Sequence, residues 1–229
     1  MARFSRMQVL NAIYEISLVP VFYHADLETA KNVVAAVSRG GCRLLEFVNR
    51  GDHAFEVFSA LETHVRDAVP DLILGAGTIL DPYTAALYIN AGANFIVGPT
   101  LNPEVARICN RRKIPYAPGC GSASEISQAE ELGCEICKIF PGEEVGGPKF
   151  VSSVLAPMPW ASLMPTGGVD PTADSITKWV NAGVVAMGMG SKLITSEAVK
   201  AKDWNCIEDK VRATLELIRE AKRKKGAKE

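Results

Sequence analysis

Short apolar, β-branched runs alternate with amphipathic stretches along the chain. Eight runs read as strands: LVPVFY (18–23), RLLEFV (43–48), DLILG (71–75), ANFIVG (93–98), IPYAP (114–118), EICKIF (135–140), ASLMP (161–165) and VVAMG (184–188). Most are continuously apolar, as expected of parallel strands buried on both faces. Between them, Leu27, Ala30, Val33, Val34 and Val37 recur at helical spacing after Asp26, whose carboxylate suits an N-cap. Asp81-Pro82, Asn102-Pro103 and Asp170-Pro171 each set a capping side chain before a proline at the first helical position, where a missing N–H costs nothing. Ser122 and Glu125 have the spacing of a capping box. About eight strand-then-helix pairs follow an N-terminal helix with no linker between them. They predict one α/β domain over residues 1–229, a (β/α)8 or TIM barrel. Trp204 to Glu229 predicts a last helix whose basic end, Lys222 to Lys225, is solvated and favoured by the helix dipole.

The length of 229 residues fits one such barrel, and 48% hydrophobic against 22% charged residues is enough to bury a large core. Twenty-five basic and 26 acidic side chains leave a net charge of −1, so no overall field draws the chain to nucleic acid or a membrane surface; neither partner is expected. Arg3, Arg6 and Glu15 interrupt the apolar residues of the N-terminus, unlike a secretion signal, and no stretch approaches the ~18 uncharged apolar residues of a membrane span. A cytoplasmic location is the expectation. Six cysteines are too few for a disulfide scaffold at this length, so reduced thiols are expected.

In a barrel of this kind, chemistry sits at the C-terminal strand ends and in the loops after them. The sixth run, EICKIF, carries Lys138 among apolar neighbours, with Ile136 on its face and Cys137 and Ile139 on the other. A lysine facing the barrel interior is partly desolvated, which favours the neutral amine that can attack a carbonyl; a lysine at a strand end instead extends its ammonium to water. In the second run, RLLEFV, Glu46 is a carboxylate among apolar residues and needs either a partner, such as Arg50 or Lys138, or a raised pKa. Together the two favour proton transfer beside an imine. Pro165-Thr166-Gly167-Gly168 and Gly188-Met189-Gly190-Ser191 follow the seventh and eighth runs, where paired glycines either make tight turns or bring backbone N–H groups and a serine hydroxyl to a phosphate. Thr78 of GAGT and the Arg50 guanidinium are candidates to hold a substrate carboxylate.

Other signals weigh less. Cys134 and Cys137 form a lone C-x-x-C and read as core residues. His24, His53 and His64 lack ligand spacing, so no metal is expected, although His24 can line the mouth. Lys149 at the start of a helix reads as solvated or as a phosphate contact.

The strings LEFVNR, GAGT, PGCGS with its following SE, KIFPG, PTGG and GMGS, in this order at one-repeat spacing, resemble the 2-keto-3-deoxy-6-phosphogluconate (KDPG) and 4-hydroxy-2-oxoglutarate (KHG) aldolase family over roughly residues 18–195. The resemblance implies a class I, pyruvate-forming aldolase on a (β/α)8 barrel, usually a homotrimer, using no metal or organic cofactor and acting on a phosphorylated keto acid. It implies Lys138 as the Schiff-base lysine, Glu46 as general acid/base, and Arg50 and Thr78 as carboxylate contacts. Gly167, Gly168, Gly190 and Ser191 fall at the phosphate end, and Pro99 and Phe140 line the pyruvyl pocket. Lys192 stands where the family often has tryptophan, and Cys120-Gly121-Ser122 replaces a hydroxyl-bearing stretch. A phosphogalactonate-specific aldolase of the same family, a phosphosugar isomerase or epimerase using Glu46 as base, and a phosphate-metabolite sensor are the alternatives.

Overall fold

The computed structural model describes residues 2–227. Helix α1 (Arg6–Ile16) opens on a capping box that the sequence reading passed over: Ser5 Oγ accepts from the Gln8 N–H, and the Gln8 side chain accepts from the Ser5 N–H. Its face of Val9, Leu10, Ala12 and Ile13 is buried. Leu10 and Ile13 meet Val19, Phe95, Tyr116, Ile136 and Met164 around a void of only about 10 Å3. The helix thereby plugs the N-terminal end of the barrel.

Strands β1 (Leu18–Phe22), β2 (Leu44–Val48), β3 (Ile73–Gly77), β4 (Ile96–Val97) and β5 (Tyr116–Ala117) follow, then β6 (Gly119–Cys120), β7 (Cys137–Ile139), β8 (Leu163–Pro165) and β9 (Met187–Met189). The described pairings are parallel and give two sheets, ordered β5-β4-β3-β2-β1-β9 and β6-β7-β8. Only Pro118 separates β5 from β6, and its carbonyl accepts from the Lys138 N–H at 2.8 Å. A parallel bridge between Thr166 and Gly188 joins β8 to β9. These two seams close eight staves into the barrel that the alternation of runs predicts.

Helices α2 (Leu27–Arg39), α3 (Ala54–Ala68), α4 (Pro82–Asn90), α5 (Pro103–Arg112), α6 (Ala123–Glu131), α7 (Gly147–Leu155), α8 (Ala173–Ala182), α9 (Ser196–Lys200) and α10 (Trp204–Gly226) surround the strands. Asp26, Asp81 and Asn102 cap α2, α4 and α5 as expected, with Pro82 and Pro103 in the first turn.

Several expectations need correction. The strands are shorter than their apolar runs, and residues such as Phe95 and Ile136 that flank them are nevertheless buried. Ser122 caps α6, but the Glu125 carboxylate returns to the N–H of Gly121 at 2.7 Å, one residue before the capping-box position. Asp170 does not cap α8: Thr172 accepts from the Ser175 N–H and the helix begins at Ala173, after Pro171. Of the basic end, Arg223 and Lys224 are exposed as expected, but Lys222 is half-buried; it donates to the Tyr14 carbonyl at 3.2 Å and to Ser17 Oγ at the C-terminal end of α1, and burial lowers its pKa. Lys228 and Glu229 of that predicted helix lie outside the described residues. Cys134 and Cys137 are buried free thiols, as read.

Candidate active site

Glu46 on β2 and Lys138 on β7 come from staves that do not pair with one another, yet Lys138 Nζ lies 4.0 Å from Glu46 Oε1. Both side chains therefore point into the barrel interior and meet across it, at 1% and 5% residue exposure. Neither Glu46 oxygen has a hydrogen-bond partner among the described residues. Burial pushes the Glu46 carboxyl above the ordinary carboxylate range, and the charges of Lys138 and Arg50 offset only part of that rise. Lys138 Nζ also sits 4.9 Å from the centre of the Phe140 ring.

Missing side chains make this room. A Cβ on Gly77 would collide with Glu46 Oε1, one on Gly119 with the Pro99 carbonyl, and one on Gly188 with Thr166 Oγ1. Gly75 and Gly77 consequently lie inside β3 rather than in a turn after it, and Gly188 lies inside β9 rather than in the loop. Gly119 pairs with Lys138, which brings Pro99 to the next stave from the lysine. Thr78 follows Gly77 with a φ of 59°, a left-handed conformation that costs a β-branched residue about 1–3 kcal/mol and recurs at sites where geometry is held for function.

Above this floor, at the C-terminal strand ends, opens a cavity of about 670 Å3. Of the sequence-derived candidates, Arg50, Phe140, Gly167, Gly168, Gly190 and Ser191 line it. Lys138, Glu46, Thr78 and Pro99 do not line it: Lys138 and Glu46 are buried in the barrel interior, and Thr78 and Pro99 are half-buried where β3 and β4 end. Gly167 and Gly168 have φ of 91° and 71°, and among the described residues no acceptor meets the N–H groups of Gly167, Gly168, Ser191 or Lys192. Two loops thus offer unpaired donors at one edge of the cavity, a pattern that binds anions.

His24 lines the mouth, as the sequence suggested; its Nδ1 accepts from the Asp26 N–H at 3.0 Å. Sequence reasoning missed Tyr23, Thr166, Asp170 and Lys200, which also line the cavity. Thr166 Oγ1 is buried without a partner; a hydroxyl residue directly after a barrel strand and before paired glycines was the available signal. Lys149 is exposed at the start of α7 and does not line the cavity. Among the described residues no three His, Cys, Asp or Glu side chains cluster to hold a metal, and no helix is long and apolar enough to cross a membrane.

A family model described as KDPG and KHG aldolase matches residues 9–210. The chain belongs to this aldolase family. A 2-dehydro-3-deoxy-phosphogluconate aldolase of Treponema pallidum is 31% identical over 211 residues, which are 92% of this chain and 97% of that protein. The KHG/KDPG aldolase of Escherichia coli K12 is 32% identical over 199 residues, 87% of this chain and 91% of the relative. A crystal structure of the KDPG aldolase from Legionella pneumophila, with pyruvate captured at low pH as a covalent carbinolamine, matches with a TM-score of 0.81 at 27% identity over 89% of this chain and 96% of that one. The resemblance carried by LEFVNR, KIFPG, PTGG and GMGS is borne out by the KDPG and KHG aldolase match, and so is the barrel fold.

Proposed function

We propose that the chain is a class I aldolase that cleaves 2-keto-3-deoxy-6-phosphogluconate to pyruvate and glyceraldehyde 3-phosphate, and that it also accepts 4-hydroxy-2-oxoglutarate. The observation that carries this reading is the approach of Lys138 Nζ to within 4.0 Å of a buried Glu46 carboxyl that has no hydrogen bond among the described residues, in a barrel whose cavity is edged by free N–H groups. The neutral Lys138 amine attacks the C2 ketone to give a carbinolamine. Glu46 donates a proton to its hydroxyl, water leaves, and a protonated imine remains. As the C3–C4 bond breaks, its electron pair flows to the imine and forms an enamine, while Glu46, directly or through water, takes the C4 hydroxyl proton and the aldehyde departs. Protonation at C3 and hydrolysis of the imine release pyruvate and restore Lys138.

A carboxyl whose pKa is raised by burial suits a group that must give and take the same proton near neutrality. Arg50 and Thr78 hold the substrate carboxylate in this scheme, and Pro99 and Phe140 wall the pyruvyl pocket. Gly167, Gly168, Gly190 and Ser191 clamp the phosphate, which contributes orientation as well as affinity. Leu80, Tyr83 and Leu87, all exposed at the start and along one side of α4, support assembly into a homotrimer, which sedimentation velocity tests. The free thiols fit the reducing cytoplasm as its location.

Borohydride reduction in the presence of pyruvate tests the central step. The expected result is added mass on a peptide containing Lys138, and loss of turnover in K138A by at least roughly a thousandfold, followed by coupling pyruvate release to lactate dehydrogenase. An unmodified Lys138 peptide from an active preparation would favour the isomerase or epimerase alternative; ligand binding without pyruvate release would favour the sensor.

A further inference from the structure

The phosphate clamp described above consists of neutral donors: four backbone N–H groups and the Ser191 hydroxyl. A phosphate monoester carries about 1.5 to 2 negative charges near neutrality. Two charged side chains stand beside the clamp, one on each loop. Asp170 comes two residues after Gly168, and Lys192 directly follows Ser191. Both line the cavity, and Lys192 Nζ lies 3.9 Å from Asp170 Oδ1.

The local backbone explains why Asp170 is available. Its N–H donates to Ser175 Oγ at 3.1 Å and its carbonyl accepts from the Thr172 N–H at 2.8 Å, while Thr172 takes over the capping of α8. The carboxylate is thereby left to face the β9 loop. At 3.9 Å, with side-chain exposures of 70% and 46%, the pair is a loose ion pair rather than a hydrogen bond. Such an exposed pair is worth little, so an arriving dianion can draw the ammonium away from it. Lys200 lines the same cavity from the end of α9, but among the described residues no acidic side chain positions it.

We propose that Lys192 determines specificity for a terminal phosphate: Asp170 holds its ammonium beside the clamp in the free protein, and the phosphate takes it over on binding. This rests on the aldolase reading. Lys192 supplies the formal charge that the glycine turns and Ser191 lack. Asp170 keeps the ammonium in reach but competes for it and repels the dianion, so its net effect is to restrain affinity for phosphorylated substrates.

The test compares kcat/KM for 2-keto-3-deoxy-6-phosphogluconate and for its dephosphorylated counterpart in the wild type, K192M and D170N. In K192M the ratio of phosphorylated to dephosphorylated kcat/KM falls roughly tenfold, mostly through KM, as expected for loss of one charge-assisted contact. In D170N the ratio rises by roughly two- to threefold, the scale of an exposed charge interaction. An unchanged ratio in K192M, or a falling one in D170N, overturns the role of Lys192 and leaves the aldolase reading standing. A wild-type protein that releases pyruvate from neither substrate overturns the reading and this inference together.

Discussion

The barrel buries two glutamates to nearly the same depth, and the protein treats them in opposite ways. Glu62, on α3 and 4% exposed, has its Oε2 bonded by Arg66 Nε and its Oε1 beside Arg66 Nη2, each at 2.8 Å. Glu46, 1% exposed, reaches only a lysine at 4.0 Å and has no hydrogen bond. A carboxylate that serves the fold is given a cation in contact, because an uncompensated buried charge is costly. A carboxylate held 4.0 Å from its lysine and without a hydrogen bond has its pKa raised by burial, the condition a proton-exchanging group needs.

Exchanging each for glutamine sharpens this contrast. E46Q loses turnover by roughly 10²–10⁴, the range expected for a general acid/base, and retains its fold. E62Q keeps its turnover and loses about 1–3 kcal/mol of unfolding free energy, read by urea denaturation, because a buried partner of Arg66 is gone. A destabilised E46Q together with a fully stable E62Q would erase the distinction between the two sites.

The same comparison separates the variants by pH. Unfolded, Glu46 releases its proton in the ordinary carboxylate range; folded, it holds that proton to higher pH. The folded state thus binds more protons in that interval, and the Glu46 contribution to stability falls as pH rises. Below the carboxylate range the stability difference between E46Q and the wild type should not change with pH. Relative to the wild type, E46Q then gains stability with pH until the folded Glu46 ionises, and levels off beyond that point. A thermal melting temperature of E46Q that falls relative to the wild type as pH rises would contradict this.

Thr166 offers the smallest test. Its buried Oγ1 has no partner, so T166V removes nothing the folded protein uses, and stability should hold within about 0.5 kcal/mol. If the hydroxyl meets substrate, kcat/KM falls by roughly tenfold. An unchanged kcat/KM would make Thr166 a packing residue.

Much of this was legible in the chain. Long apolar runs broken by Asp81-Pro82 and Asn102-Pro103 gave the strand and helix order, because capping chemistry is local and leaves a local mark. Lys138 and Glu46 stood out because a charge inside an apolar run conflicts with burial wherever it occurs. The roles of Gly77, Gly119 and Gly188 were hidden, since a glycine that yields space to a side chain from another stave looks the same in sequence as one that makes a turn. Asp170 was misread for a related reason: a capping side chain before proline scores as a helix start, and only the three-dimensional position of Thr172 and Ser175 frees it for the rim.

Among the described residues, helix α1 stoppers the N-terminal end of the barrel, and the large cavity opens at the other. Traffic through such a dead end has to queue. If pyruvate is tethered at the floor, the aldehyde half leaves first during cleavage, and in the reverse direction pyruvate must enter before its partner, so the order of substrate addition is written into the architecture.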